Sequence, residues 1–182
     1  MAARKVRTAR KAKLIFGEGK TEGAFLKHLK QLYRDEIRPR KIQTDHGNGG
    51  SPKTIALDLK RRHQQLSMYD GVMLWIDSDL PPSAKLLNQL KSQNVELLLT
   101  EPQCVEGFFL ELLDDCPAGA ATMDSATLKR RFNVEHLGTD DEREALRRLK
   151  KSKMSELFAR SLLEQKRKTS TTLDSLLVFL GV

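Results

Sequence analysis

The chain has 182 residues, of which 39% are hydrophobic and only 5% aromatic, and its formal net charge is +8. This length predicts one compact domain whose aliphatic core needs no disulfides, and no apolar run approaches the roughly 20 residues of a membrane span. Cys104 and Cys116 form neither a CxxC pair nor a zinc pattern, and no apolar signal sequence follows the basic N-terminus. We therefore expect a cytoplasmic protein without membrane association.

The positive charge is concentrated towards the two ends of the chain. The first thirteen residues contain six Lys or Arg and no acid, residues 129–168 contain thirteen basic against seven acidic residues, and the remainder is net acidic. An acidic centre between basic segments suits a protein that holds cations at its centre and a polyanion at its rim. Solvated basic tails are the alternative interpretation.

Apolar runs predict strands at 14–16, 71–76 and 95–100, and residues 40–44 are a candidate for a further short strand. Helical spacing predicts intervening helices at 20–33, 52–66, 83–91 and 106–113, with N-caps at Thr21, Ser51 and Ser83. From about residue 124 the pattern is helical only, with a charged amphipathic stretch at 139–165 and an apolar helix at 172–180.

Strands that alternate with helices, and that are apolar throughout, indicate an α/β fold with a parallel four-stranded sheet flanked by helices on both faces. The sequence is accordingly divided into a basic N-terminal tail (1–12), an α/β domain (13–115) and a helical C-terminal extension (116–182).

Acidic residues follow two of the predicted strands. Glu18 comes after the first strand, with Glu22 one helical turn later, and Asp77 and Asp79 come after the third. Functional groups gather at the carboxyl ends of parallel strands, and residues two apart in an extended chain point the same way. We therefore expect Asp77 and Asp79 to face one pocket. Converging carboxylates favour Mg²⁺ or Mn²⁺, which could position a phosphodiester and activate a water.

Two segments resemble the motifs of the TOPRIM domain. Leu14-Ile-Phe-Gly-Glu18-Gly-Lys-Thr-Glu22 is similar to its first motif, a glutamate–glycine turn after strand one, and Leu74-Trp-Ile-Asp77-Ser-Asp79 is similar to its Asp-x-Asp motif after strand three. The resemblance is closest to the RloB-like and OLD-like nuclease branch, in which a downstream helix carries a glutamate much like Glu106. It covers roughly residues 12–115 and implies a TOPRIM-type, Rossmann-like fold.

The resemblance also implies roles for individual residues. Glu18 would be the key glutamate, a metal ligand or general acid/base, and Asp77 and Asp79 would be metal ligands in the same catalytic site. Glu22 and Glu106 would support the same or a second metal ion. The competing interpretation is structural, since acids in loops and first helical turns commonly cap helices and favour the helix dipole. Residues after Asp79 depart from small TOPRIM ribonucleases and primases, which often have glycine there.

Cations near these acids are candidates for contacting phosphate. Lys20 adjoins the first motif and Lys53 follows a glycine-rich turn that also contains His46, whereas Arg147 and Lys151 lie in the basic helical tail. Helix N-termini and cations favour phosphate groups. The alternatives are an ordinary flexible loop, a solvent-exposed His46 and a solvated helix laced with ion pairs.

The leading hypothesis from the sequence is a Mg²⁺-dependent nuclease acting on DNA or RNA. The resemblance further implies a role in defence against foreign DNA and a separately encoded ATPase as partner. One alternative is a non-catalytic TOPRIM module that binds nucleic acid or such an ATPase, and another is a small TOPRIM ribonuclease or primase-like enzyme. Because aromatic residues are few, nucleic-acid binding should be led by the phosphate backbone and weakly sequence-specific.

Overall fold

A computed structural model describes residues 12–38 and 41–182, so the predicted basic tail lies outside the described residues except for Ala12. Four strands, β1 (Ala12–Gly17), β2 (Lys41–His46), β3 (Gly71–Asp77) and β4 (Val95–Thr100), form one sheet in the order β2-β1-β3-β4. All three strand pairings are parallel. The predicted α/β fold with a parallel four-stranded sheet flanked by helices is therefore confirmed.

Helices fill the intervals between strands and the whole C-terminal third of the chain. They are α1 (Lys20–Leu32), α2 (Arg34–Ile37), α3 (Pro52–Arg62), α4 (Ala84–Ser92), α5 (Val105–Leu112), α6 (Ser125–Leu137), α7 (Glu142–Arg148), α8 (Met154–Leu157), α9 (Arg160–Lys166) and α10 (Thr171–Leu180). Short 3₁₀ turns lie at Leu66–Met68 and Ala120–Thr122, and a π-helical turn at Leu149–Lys153 joins α7 to α8. Within the described residues, no helix combines the length and apolar character needed to cross a bilayer.

The helix starts follow from local hydrogen bonds. The side chains of Ser51 and Ser83 accept hydrogen bonds from backbone N–H groups in the first turns of α3 and α4, which confirms both predicted caps. The predicted cap at Thr21 is wrong, because α1 begins at Lys20 and its N-cap is Gly19, two residues before Thr21. The carboxylate of Glu22 accepts the backbone N–H of Gly19 at 3.0 Å and so fixes the earlier start.

The alternating side chains of the strands build two apolar layers. On one face, Leu14 and Leu74 pack with the buried residues of α3 and α4. On the other face, Ile15 and Trp75 pack with α1 and α5, and Trp75 is fully buried. A parallel sheet is stable with both faces covered in this way, which is why the central strands β1 and β3 are mostly apolar. The edge strand β2 is mostly polar, and Ile42 is its one buried residue.

The C-terminal helices belong to the same core as the sheet. Phe132 of α6, Phe158 after α8 and Leu177 of α10 are fully buried in one cluster with Ile15 and Trp75. The helical extension predicted at 116–182 is therefore helical, but its hydrophobic core is continuous with that of the α/β part.

The strand order creates a crevice at the carboxyl ends of the two central strands. From β1 the chain crosses to β2 on one side, whereas β3 lies on the other side of β1 and leads on to β4. Connections that leave neighbouring strands in opposite directions open a space beyond the strands' carboxyl ends, where ligands bind in open α/β sheets. In this chain that space lies beyond Gly17 and Asp77.

Candidate functional site

Glu18 joins the ends of the two central strands. Its carboxylate accepts the backbone N–H of Asp77, with 3.0 Å between Glu18 Oε2 and Asp77 N. A side chain at Gly17 would place its Cβ 2.7 Å from the Cβ of Glu22, so glycine is needed for α1 to start close against β1. Burial raises the pKa of Glu18, as does the charge of Asp79, and these effects outweigh the opposing ones of the Asp77 N–H and Lys129.

The glycine-rich loop after β2 is hydrogen-bonded to the turn between β1 and α1 that contains Glu18. The backbone N–H groups of Gly47 and Gly49 donate to the carbonyl oxygens of Gly17 (2.9 Å) and Glu18 (3.1 Å). A Cβ at Gly47 would lie 2.8 Å from the backbone carbonyl oxygen of Glu18, so glycine permits this close approach. The loop therefore fixes the backbone that presents Glu18.

Asp77 is buried at the end of β3. One carboxylate oxygen, Oδ1, accepts the backbone N–H of Val105 at 3.1 Å, which ties Asp77 to the first turn of α5. The other, Oδ2, lies 3.8 Å from Nζ of Lys129. Burial, followed by the negative charges of Glu22, Glu18 and Glu106, raises the pKa of Asp77 to about 9.

Glu22 of α1 and Glu106 of α5 lie deeper in the same crevice, and both are buried. Burial, and then the charge of Glu106, raises the pKa of Glu22 to about 8. Burial likewise raises the pKa of Glu106, whose Oε2 atom is buried without a hydrogen-bond partner. A buried carboxylate left unpaired is costly, so it either takes up a proton or attracts a cation.

Lys129 of α6 also lines this crevice, and the sequence pattern did not predict it. Burial lowers its pKa, but the charges of Glu106 and Asp77 outweigh burial and raise the pKa above the usual lysine range. The neighbouring Leu128 and Phe132 are fully buried, so the helical pattern places Lys129 beside the packed face of α6. Nothing in the linear sequence, however, connects α6 with the strand ends.

These side chains enclose a cavity of about 210 Å³. Five acids line it, and four of them, called the carboxylate cluster below, come from the strand ends, α1 and α5: Glu18, Glu22, Asp77 and Glu106. The fifth is the exposed Glu142 of α7, and Lys20 and Lys129 also line the cavity. Ala145, Leu146 and Leu149 line the opposite side, from α7 and the π-helical turn. The C-terminal helices therefore form one wall of the site, although the resemblance covered only residues up to about 115.

Asp79 takes a different position from the one expected. It is exposed, it does not line the cavity, and its Oδ2 accepts a hydrogen bond from the Ser125 hydroxyl at 2.5 Å. The backbone N–H groups of Ser78 and Asp79 both donate to the carbonyl of Gln103, at 2.9 and 3.1 Å. The extended strand thus ends at Asp77, and the alternation that should have aimed both aspartates at one pocket does not continue.

The predicted phosphate-binding residues are dispersed. Lys20 lines the cavity, whereas Lys53, Arg147 and Lys151 are exposed and line none of the cavities found among the described residues. Arg147 instead donates two hydrogen bonds of 2.6 Å to Glu144. His46, expected to be exposed, is half-buried, because its Nδ1 donates to the Gly47 carbonyl at 2.7 Å and its ring covers Gly23.

The carboxylate cluster suits a hard divalent cation in charge and donor type. The four carboxylates outnumber the two lysines that line the cavity, Lys20 and Lys129. The acidic donors are all oxygen, and one buried oxygen of Glu106 has no partner. All-oxygen sites of this charge favour Mg²⁺ or Mn²⁺. Among residues 12–38 and 41–182, no three His, Cys, Asp or Glu side chains already stand together in metal-binding geometry. Glu18, Glu22 and Asp77 each place one oxygen on a backbone N–H, so side-chain rotation would accompany metal binding.

Comparisons of the chain with protein-family models, with curated proteins and with solved structures found no match. The function is therefore inferred from the chemistry of the carboxylate cluster and from its position at the carboxyl ends of the central strands β1 and β3.

Proposed function

We propose that this chain is a nuclease of the TOPRIM type that uses Mg²⁺ or Mn²⁺ to hydrolyse phosphodiester bonds of DNA or RNA. The observation that carries the proposal is the meeting of four carboxylates, from β1, α1, β3 and α5, at the point where the strand connections diverge. Glu18 and Asp77 follow the same two strands as the acidic motifs of TOPRIM domains. A role in defence against foreign DNA, with a separately encoded ATPase, follows from the resemblance alone and is part of this proposal.

The backbone prepares two of the carboxylates for this role. Glu18 is held by the Asp77 N–H, and Asp77 is held by the Val105 N–H, so both side chains are oriented by rigid secondary structure. Because both side chains are held beside the cavity, a rotation of their carboxylates would bring oxygens to a shared cation. A bound Mg²⁺ or Mn²⁺ would supply charge for the phosphodiester oxygens and a water of lowered pKa.

The remaining groups of the cavity suit the other tasks of hydrolysis. Lys129 places a positive charge beside Asp77, where it can stabilise the negative charge that builds up on a phosphoryl group. Glu22 and Glu106 lie deeper and would complete the binding of the ion.

The test compares the wild type with Asp77→Asn and Glu18→Gln on single-stranded DNA, duplex DNA and RNA. Each substitution keeps the shape of the side chain and removes its charge, so we expect at least a ~100-fold loss of Mn²⁺-dependent cleavage without loss of folding. Glu96→Gln is the matched control, because Glu96 is an exposed acid on β4 that lines none of the described cavities. Cleavage by Asp77→Asn at the wild-type rate would refute the proposal.

A second candidate is a non-catalytic module that binds nucleic acid or a partner ATPase. The observation favouring it is that Lys129 already provides a cation within the cluster, while α7 covers one side of the cavity. A wild type that binds nucleic acid, but shows no metal-dependent turnover on any of the three substrates, would support this candidate instead.

A further inference from the structure

A second cavity, of about 530 Å³, runs along the outer side of α1. We call it the α1 groove. One wall is α1, the floor is the end of β2 at Thr44–His46, and the other wall is the π-helical turn with the start of α8. A Cβ at Gly23 would lie 2.3 Å from the His46 ring, so the missing side chain lets the ring settle into the floor.

The groove carries excess positive charge. Lys20 and Lys27 on α1 and Lys150 on the π-helical turn are exposed along it. None of the three takes part in an ion pair within the described part of the chain. Its one acid, Asp45, is already bound by Arg62 at 3.4 Å and by His63 at 3.0 Å. The lysine charges are therefore left for an external anion.

The arrangement of these charges indicates an elongated anion. Lys20 and Lys27 are seven residues apart on α1, which places them on one helix face about 10 Å apart along its axis. Lys150 faces them from across the groove. Within the described residues, the lining includes no Phe, Tyr or Trp on which a base could stack. Such a row of cations suits a phosphate backbone, recognised by charge and without base readout.

The groove leads to the carboxylate cluster. Lys20 lines both cavities, and at the other wall Leu149 lines the cluster cavity while the next residue, Lys150, lines the groove. The π-helical turn thus contributes to both, and such turns occur frequently at functional sites. A chain lying in the groove would arrive at the end of β1, beside Glu18.

We propose that the α1 groove binds the phosphate backbone of one nucleic-acid strand and delivers that strand to the carboxylate cluster. This inference rests on the proposed nuclease function, because it names the substrate path of that site. It differs from the contacts expected from the sequence, since Lys27 and Lys150 replace Lys53, Arg147 and Lys151 as partners of the phosphates.

The test measures binding of labelled oligothymidylate, of the matching duplex and of oligouridylate by fluorescence anisotropy in EDTA, so that cleavage does not interfere. The double variant Lys27→Ala/Lys150→Ala is compared with Lys85→Ala/Lys91→Ala. The control removes the same charge from exposed lysines of α4, which covers the other face of the sheet. For the groove variant we expect roughly tenfold weaker binding, and a salt dependence whose log–log slope falls by about 1.4 for a single strand, or about 0.7 per lysine.

The control variant should bind within about twofold of the wild type. Equal weakening of the two variants would show that net charge alone matters, and unchanged binding by the groove variant would show that the strand lies elsewhere; either result overturns the inference. The comparison of the three probes identifies the preferred nucleic acid. A Mn²⁺-induced thermal shift, measured on the same proteins, reports on the metal site separately. If the groove variant loses binding while the wild type has no turnover and no Mn²⁺ shift, the groove stands and the nuclease proposal fails.

Discussion

Nζ of Lys129 lies 3.8 Å from Oδ2 of Asp77, so a helix of the C-terminal segment supplies the counter-charge to a carboxylate at the end of a central strand. Asp77 is buried, and its other oxygen is occupied by the Val105 N–H. The pair therefore makes α6 part of the site and links the folding of the C-terminal helices to the state of the carboxylate cluster.

Removal of this counter-charge should destabilise the metal-free protein. Lys129→Met leaves the cluster without its cation, and we expect the free energy of unfolding to fall by about 2 kcal/mol. The loss should be smaller than for a fully buried pair because the Lys129 side chain is 36% exposed. Urea unfolding in EDTA measures the change, and added Mn²⁺ should restore most of it in the variant.

Arg130→Met is the control for this prediction, because Arg130 is the next residue of α6 and is exposed. Its effect on unfolding should stay within about 0.5 kcal/mol. An equal loss in the two variants would mean that Lys129 acts through helix stability and not through the carboxylates.

The stability of the metal-free protein should depend on pH through the cluster. The pKa of Glu22 is raised to about 8 and that of Asp77 to about 9. A carboxyl group with a raised pKa in the folded state contributes stability fully below its unfolded pKa, and this contribution is lost as pH rises through the folded pKa. Stability should therefore fall between about pH 5 and about pH 9, by up to about 1.4 kcal/mol per pH unit for each proton.

Glu22→Gln isolates this effect. The neutral amide removes one titrating group and lowers the repulsion on Asp77, so the melting temperature in EDTA should depend less on pH and be higher at pH 8 than that of the wild type. Mn²⁺ should stabilise the wild type increasingly with pH, because its binding requires deprotonated ligands. Parallel melting curves for the two proteins across this range would contradict the assignment of Glu22 to the cluster.

Gly17 should be essential for the geometry of the first motif. In Gly17→Ala the new Cβ would meet the Cβ of Glu22 at 2.7 Å, so β1 and α1 must separate. We expect a loss of about 1–3 kcal/mol in stability, together with a weaker thermal shift on addition of Mn²⁺. In Gly71→Ala, the matched control at the start of β3, the nearest atoms of Phe179 lie at an ordinary 3.4 Å. A harmless Gly17→Ala would show that the motif needs no close approach of helix and strand.

The C-terminal helix should be required for folding of the α/β part. Leu177 is fully buried in the core cluster that includes Trp75, whereas its neighbour Val178 is 56% exposed. Leu177→Ala should cost about 2–5 kcal/mol, and Val178→Ala less than about 0.5 kcal/mol, as measured by urea unfolding. Similar effects of the two substitutions would imply that α10 does not pack on the sheet in solution.

The sequence predicted those parts of the fold and the site that depend on local pattern. Apolar strands followed by acids were enough to locate Glu18 and Asp77 at strand ends, and Ser51 and Ser83 were recognisable as helix caps. Thr21 was misassigned because the cap of α1 depends on where the Glu22 carboxylate folds back, a choice made by tertiary packing.

Other features depended on contacts between distant segments. The position of Asp79 is set by the carbonyl of Gln103, which accepts the N–H groups of Ser78 and Asp79 and so ends the strand at Asp77, the first residue of the Asp-x-Asp motif. Lys129 reaches the site only because α6 packs against α5. Lys150 reaches the groove only because the π-helical turn after α7 changes the direction in which the following side chains point. No periodicity in the sequence signals either placement.

The central claim is most directly tested by anomalous diffraction from crystals soaked in Mn²⁺. A metal-dependent nuclease site predicts a peak within about 2.0–2.3 Å of carboxylate oxygens of Glu18 and Asp77, which disappears in crystals of Asp77→Asn. Crystals that diffract well, hold Mn²⁺ at millimolar concentration and show no peak among the carboxylates of the cluster would contradict the account.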